Sequence, residues 1–450
     1  MRNQEITSGQ GSKRSLDDFI VALILSKEFI LDFLGLGLFA NLAICCLIVV
    51  RIVYVQWKIP LFVYAAVSFF PLLTVQAMLM GGSLDVAIGN LARLFQVGLY
   101  ALFFLFLRVQ KPDHLQTLFE KGFVPFNAIL VLNMAVIVFQ YVFPGSLVAA
   151  SSSYEAMGVD AMSGLFGAAS THSIALYTTF VVVYDISVMQ KGLYDKRTLV
   201  SYIAALSLSS LYIATLNDNK ALFFFLPLGV LLCWAIYIAF NYRTAAVKTS
   251  LLIPLIACML LLLYLGVPAV QNFVQDYIAR SINMAVNAWD LGSYVNGSDE
   301  RFQMVAYALS LPAAWGFGDG LGMADVYQEG YRGFNHFGQS DFGSIVILGG
   351  FWLYFLVLYF YVRVFSISSS STQRKKPVLV IAMLILLVYS SVYTQVFTQV
   401  RISIPVILLS YALFVYWQGF NECLSANRAS DADPIIVKIG RTSKRNGEFN

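Results

Sequence analysis

Two stretches, SDERFQMVAYALSLPAAWGFGDGLG (298–322) and GYRGFNHFGQSDFGSIVILGGFW (330–352), decide how this chain is read. They belong to the one long segment that is polar and glycine-rich in a sequence otherwise built of apolar runs, and the second passes directly into such a run at 343–364. Water-seeking sequence that feeds into about 20 residues compatible with hydrocarbon marks a membrane boundary. The segment before it therefore reads as a large extramembrane loop carried on a bundle of membrane helices.

The whole composition agrees. Of 450 residues, 59% are hydrophobic and 12% charged, against about 25% charged in soluble domains, and the mean hydropathy is +0.73. These values exclude an ordinary soluble enzyme. No basic tract with interleaved aromatics points to nucleic acid. Four of the five cysteines fall in apolar runs and Cys423 lies in the C-terminal tail, so no structural disulfide is expected. The N-terminus lacks a short apolar core followed by a small-residue cleavage site, so no removable signal peptide is expected.

Working outward from the loop, clear apolar runs lie at about 36–55, 59–80, 87–107, 123–143, 173–190, 198–216, 221–241, 250–270, 343–364, 377–397 and 402–419. Residues 16–35 mix Phe19, Ile20, Leu23 and Ile24 with Asp17, Asp18, Lys27 and Glu28, which suits an interfacial helix or a poor first span. Lys and Arg then assign the sides. Arg51, Lys58, Arg108, Lys111, Lys121, Lys191, Lys196, Arg197, Arg243, Lys248, Arg363 and Arg374 mark cytoplasmic connections, whereas 81–86 and 144–172 have neither residue and face outward. Both termini are basic and fall inside, which requires an even number of spans and favours about twelve. The expected organisation is a disordered tail at 1–15, one membrane domain at 16–420 with an outward loop at 271–342, and a basic cytoplasmic tail at 421–450. No internal repeat of the kind that marks secondary transporters is evident.

Cations that remain on the outward side need a reason. They are Lys220, Arg280, Arg301, Arg332 and Arg401, joined by Arg93 inside the third run. Arg280 and Arg401, at span ends, suit snorkelling or surface ion pairs; Arg93 must pair or line a cavity. Arg301 precedes a stretch with a partly apolar helical face, Arg332 stands four residues before His336, and Lys220 opens an apolar run at the membrane–water boundary. Several cations at that depth suit a diphosphate, whose lost hydration they replace.

The glycines of GFGDGLG, Gly316, Gly318, Gly320 and Gly322, form either a nest of N–H groups for an anion or a plain turn between short helices. With no Lys-Ser/Thr following, this is no P-loop. His336 is the only histidine of the long outward segment, and a lone histidine in Asn-His-Phe is as compatible with a hydrogen-bonded structural role as with catalysis. If a helix starts there, His336, Gln339, Ser340 and Gly343 share one face with Asp341 just off it. Asp299, Glu300, Asp325 and Glu329 are further candidate bases, which the sequence does not rank. No cluster has zinc spacing and no dense carboxylate group calls for a hard cation, so neither metal nor cofactor is expected.

In architecture and in these motifs the chain resembles the O-antigen polymerase and O-antigen ligase superfamily. The match runs through Arg301, Pro312, Gly316, Gly318, Gly320, His336, Ser340, Asp341, Gly349 and Gly350, with Lys220 in LNDNKALFFFLPLGVLL where the family usually has arginine. In the family's Ser-Asp register, Gln339 occupies the histidine position. The resemblance implies an all-α, GT-C-like polytopic fold of about twelve transmembrane helices in the bacterial inner membrane. Its large periplasmic loop contains short helices, and both ends are cytoplasmic. It implies undecaprenyl-diphosphate-linked oligosaccharide as donor and acceptor, lipid as surroundings, and flippase and chain-length-regulating proteins as partners. Arg301, Lys220 and Arg332 would hold the diphosphate. His336, Asp341 or Glu300 would act on the acceptor hydroxyl, and Gly316, Gly318, Gly320, Gln339, Ser340 and Arg93 would line the substrate's path. A ligase of the same superfamily, or a flippase for a lipid-linked sugar, are the competing expectations.

Overall fold

The structure is a computed structural model, and it describes residues 16–79, 82–144, 162, 164–167, 171–192, 195–241, 265, 268–279, 283, 286, 300–322, 340–367 and 376–432. These residues are helical with no strand among them. The helices are α1 (Leu16–Ser26), α2 (Gly37–Tyr54), α3 (Leu61–Leu79), α4 (Leu84–Gln110), α5 (Pro112–Lys121), α6 (Phe123–Val142) and α7 (Thr171–Gln190). There follow α8 (Lys196–Leu216), α9 (Lys220–Phe240), the short α10 (Pro268–Phe273), α11 (Glu300–Ser310), α12 (Asp341–Ser366), α13 (Lys376–Tyr393) and α14 (Val400–Ala432). Ten described helices are long and apolar enough to cross a membrane, namely α2 to α4, α6 to α9, α12, α13 and the 400–420 part of α14. The chain is thus an all-α polytopic protein. The apolar run at 250–270 lies almost wholly outside the described residues, as do the N-terminal tail, residues 433–450 and most of the long loop.

Burial sorts the spans. Within its membrane window α14 is 94% buried and α7 is 83% buried, whereas α3 and α8 reach only 19% and 22%. Two helices that are apolar all round form the centre, and one-sided helices surround them with their outer faces left for lipid. Aromatic rings fill the seams: Phe126, Phe180 and Tyr184 meet edge to face, and Phe119 stands against both Tyr184 and Tyr411. Such edge-to-face pairs suit the ring quadrupoles.

Residues 16–36 pack against the bundle. The chain of α1 continues through a π-turn at Lys27–Leu31, reverses at 32–36, and packs back against α2. At one end Asp17 accepts a two-bond clasp from Arg51, 2.6 and 2.9 Å, and is also bonded by Lys111. At the other, Lys27 bonds Glu28 (2.8 Å) and Asp32 (2.9 Å), and Arg401 reaches Asp32 at 3.4 Å. Arg51 and Lys111 belong to the Lys/Arg-rich face and Arg401 to the opposite one, so residues 16–32 run the same course as the span beside them. Arg401, expected as a snorkelling or surface charge, is part of this mostly buried network. Burying so many charges is tolerable because nearly every one is paired.

Deep charge is more common than the sequence reading allowed. Arg93 is not the only such residue: Asp185 lies inside α7, fully buried, with Asn127 donating to it at 3.0 Å and Tyr202 donating to Asn127 at 2.8 Å. Arg108 is buried at the end of α4, where it donates to the carbonyls of Val364 and Phe365, closing the last turn of α12.

Candidate functional site

On the Lys/Arg-poor face, one side chain gathers its neighbours from four elements. Tyr393, the last residue of α13, is half buried and stacks parallel to Tyr389 one turn before it. The guanidinium of Arg301, from the first turn of α11, stands over its ring with Cζ 4.8 Å from the centroid and shares a hydrogen bond with its hydroxyl. His172, at the start of α7, meets the ring edge-on at 5.6 Å and lies within electrostatic reach of Arg301. Phe224 and Phe225, one turn into α9, close the other side at 5.9 and 5.5 Å. A cation above an aromatic face is held by the ring quadrupole and gains strength where water is thinned.

Lys220 opens the same helix α9. Its ammonium pairs with Asp218 at 3.1 Å, both side chains being partly exposed, and Asp218 in turn acts electrostatically on Tyr393. The turn that carries this pair is tightly built. Asp218 adopts φ 49°, a left-handed conformation that aspartate tolerates better than most residues. Asn217 and Asn219 are buried and donate across the fold to the carbonyls of Met162 (3.0 Å) and Thr171 (2.9 Å). Asn219 thereby ties the Lys220 turn to the residue before His172. Arg301 thus stands over Tyr393, and α9, which Lys220 opens, packs Phe224 and Phe225 against the same ring.

Ser340 and Asp341 are placed differently from the sequence reading. Ser340 has an extended backbone and caps α12, accepting from the N–H of Gly343 at 3.2 Å, so α12 itself begins at Asp341. As the N-cap, Ser340 itself lies outside α12, and the expected shared face with His336 and Gln339 falls outside the described residues. Asp341 is fully buried; one carboxylate oxygen accepts from the N–H of Phe397 and the other from the hydroxyl of Thr398. Its own N–H donates to Thr394 at 3.2 Å. With both oxygens occupied, this carboxylate clasps the turn that follows Tyr393 and is not turned toward an acceptor.

The glycine turn also has a packing role in place of an anion nest. Helix α12 is interrupted at Gly350, φ 68° and ψ 179°, and the N–H groups of Asp319 and Gly320 donate to the freed carbonyls of Ile347 (2.9 Å) and Leu348 (2.7 Å). The Gly318 N–H goes to Ala313 at 2.9 Å. These donors are spent, so none of the three is left for a phosphate. The loop is also held from α3 and α4: Gln76 donates to the carbonyls of Phe317 and Gly318, and Asn90 to that of Leu321 at 2.7 Å. Gly318 and Gly320 have positive φ and approach other backbone so closely that a Cβ at Gly318 would lie 2.5 Å from the Gly350 nitrogen.

Arg93 is on the exposed side of α4. His336, Arg332 and Gln339 lie outside the described residues, and of Glu300 only the helical backbone is described. The residues that the sequence reading missed are Tyr393, Tyr389, His172 and Asp218. A spacing of four between the two tyrosines in YSSVYTQ was the available signal, because it places them on one helical face; nothing local points to His172. Comparison of the chain with family profiles, with curated proteins and with solved structures finds no match in any of the three.

Proposed function

We propose that the protein is a membrane glycosyltransferase that polymerises undecaprenyl-diphosphate-linked oligosaccharide repeats, with the diphosphate held between Arg301 and Lys220 at the Lys/Arg-poor face. The observation that supports this reading is that Arg301 and the first turns of α9, the helix that Lys220 opens, both pack on Tyr393. Two cations on this face suit a diphosphate leaving group, on which charge grows as the glycosidic bond to it breaks. The glycosyl carbon is transferred to an acceptor hydroxyl, whose proton goes to a general base, and undecaprenyl diphosphate leaves. His172, the imidazole on the described side of the site, joins His336 and Glu300 as a candidate for that base, and Asp341 is removed from the catalytic set to a positioning role. The bacterial inner membrane, with this face periplasmic, and a total of twelve spans belong to the same proposal; residues 16–32 and the 250–270 run would supply the two beyond the ten helices counted above.

The test uses the lipid-linked and surface glycans of a deletion strain, resolved by size. Complementation with Arg301→Ala should give single repeats on lipid and no polymer, a loss of at least about a hundredfold in polymer if one transition-state contact of this kind is removed. Normal chain lengths would sink the assignment, and full-length polymer that never reaches its final acceptor would indicate the ligase instead. A second reading, movement of a lipid-linked sugar, is favoured by Asp185 and by the Lys27–Glu28–Asp32 network, since charges inside spans often mark transport paths. Purified protein in liposomes that translocated such a lipid without joining sugars would establish it.

A further inference from the structure

Three helices diverge to leave an open cleft on the opposite side of the membrane from Tyr393. Its inner part, about 60 Å³, is lined by Val67 and Phe70 of α3, Leu94 and Gly98 of α4, and Leu356 and Phe360 of α12, among other apolar side chains. A second hollow of about 400 Å³ follows along the same elements, between Trp57, Lys58 and Pro60 before α3, Leu105 and Gln110 at the end of α4, and Ile367 after α12. The order of these residues along each helix sets the two hollows in line along one seam, the first apolar and the second polar where α4 and α12 end on the Lys/Arg-rich face.

The mouth of the groove has the chemistry of a headgroup site. Lys58 is exposed, and Arg363 stands over the ring of Phe62, 5.9 Å from its centroid, so both cations flank the start of α3. Among the described residues neither is ion-paired. Trp57 packs edge-on against Phe106 at 5.6 Å, at the depth where indoles favour the interface. Gln56 is held at φ 52°, an uncommon conformation for glutamine that shapes the turn at the mouth. A long apolar trench that ends at two unpaired cations matches an amphiphile with hydrocarbon chains and a negative head. It does not match a soluble anion, which would leave the trench unfilled, or a neutral lipid, which would leave the cations uncompensated.

We propose that this groove binds one anionic phospholipid of the leaflet on the Lys/Arg-rich face, an acyl chain lying along Gly98 and Phe360 and the phosphate between Lys58 and Arg363. The site is independent of the glycosyl-transfer reading, because it opens at the far end of the helices from Arg301. Purified full-length protein in detergent is incubated with phosphatidylglycerol or with phosphatidylcholine of the same chains, and bound lipid is counted by native mass spectrometry. Wild type should retain one phosphatidylglycerol with an affinity about tenfold or more above that for phosphatidylcholine. Lys58→Gln with Arg363→Gln should bring the two lipids level. Gly98→Leu, which fills the trench and leaves both cations in place, should lower retention of both lipids. Thermal unfolding of each variant confirms that it is folded, and if the double variant is not, Gly98→Leu decides alone. Equal retention of the two lipids by wild type, or unchanged phosphatidylglycerol binding in the folded variants, would overturn the proposal.

Discussion

Asp341 shows how much a single buried carboxylate can organise. It heads α12, yet its oxygens serve Phe397 and Thr398, which belong to the turn between α13 and α14. That turn follows Tyr393, so the position of the ring beneath Arg301 depends on a residue that never touches it. Asp341→Asn keeps the shape but offers one acceptor and an amide donor to two donors. It should cost about 2–3 kcal/mol, the range for losing a hydrogen bond to a buried charged group, read as a lower unfolding temperature in detergent. If Asp341 instead acted on substrate, the same variant would lose activity without losing stability.

At the scale of elements, the break in α12 and the glycine turn are one construction. A helix interrupted in its span must have its freed carbonyls satisfied by something other than water, and the loop at 318–320 supplies the N–H groups. Only glycine fits at the crossing: a Cβ at Gly350 would come within 1.8 Å of the Gly316 oxygen. Gly350→Ala should therefore destabilise by more than about 3 kcal/mol, backbone strain and overlap adding together, or prevent accumulation in the membrane. Gly89→Ala, in α4 with nothing within 4 Å of the added methyl, should be neutral or stabilising by up to about 1 kcal/mol. Unfolding of the two variants side by side checks both.

Helix α8 offers a pH test at its start. Asp195 caps it by accepting from the N–H and hydroxyl of Thr198, and these bonds hold its carboxyl below the ordinary carboxylate range. The capping contribution is complete above the unfolded value of about 3.9 and is lost as the pH falls through the lower folded value. Hydrogen exchange at the Thr198 amide should be slower in wild type than in Asp195→Ala at neutral pH, and the difference should close in acid.

Across the whole molecule, the two ion networks of the N-terminal hairpin fix its direction, Asp17 at the level of Arg51 and Asp32 at the level of Arg401. In a cysteine-free background, cysteines introduced at Ser83 and at Lys58 should label from opposite sides with a membrane-impermeant reagent. Labelling of both from one side would reject the arrangement. Much of this architecture was legible in the chain. Ten of the eleven clear apolar runs appear as helices long and apolar enough to cross a membrane, because transfer into hydrocarbon is nearly additive along a segment and needs no knowledge of neighbours. The importance of Arg301 and Lys220 as candidates was legible for the same reason: a cation left on the depleted face stands out locally.

What a local reading could not supply was partnership. Asp185 was absorbed in an apolar run, because averaging over a span hides one charge whose cost is met by Asn127 on another helix. The carboxylate of Asp341 looked available until the turn at 397–398 was folded onto it, and the glycine N–H groups looked free until the carbonyls of Ile347 and Leu348 were found to need them. The sequence by itself determined the all-α polytopic class and ten of its long apolar helices. Only the tertiary structure decided that Arg301, His172, Asp218 and the start of α9 share one tyrosine, since that meeting depends on the packing of distant segments against the central helices and not on any property of the segments themselves.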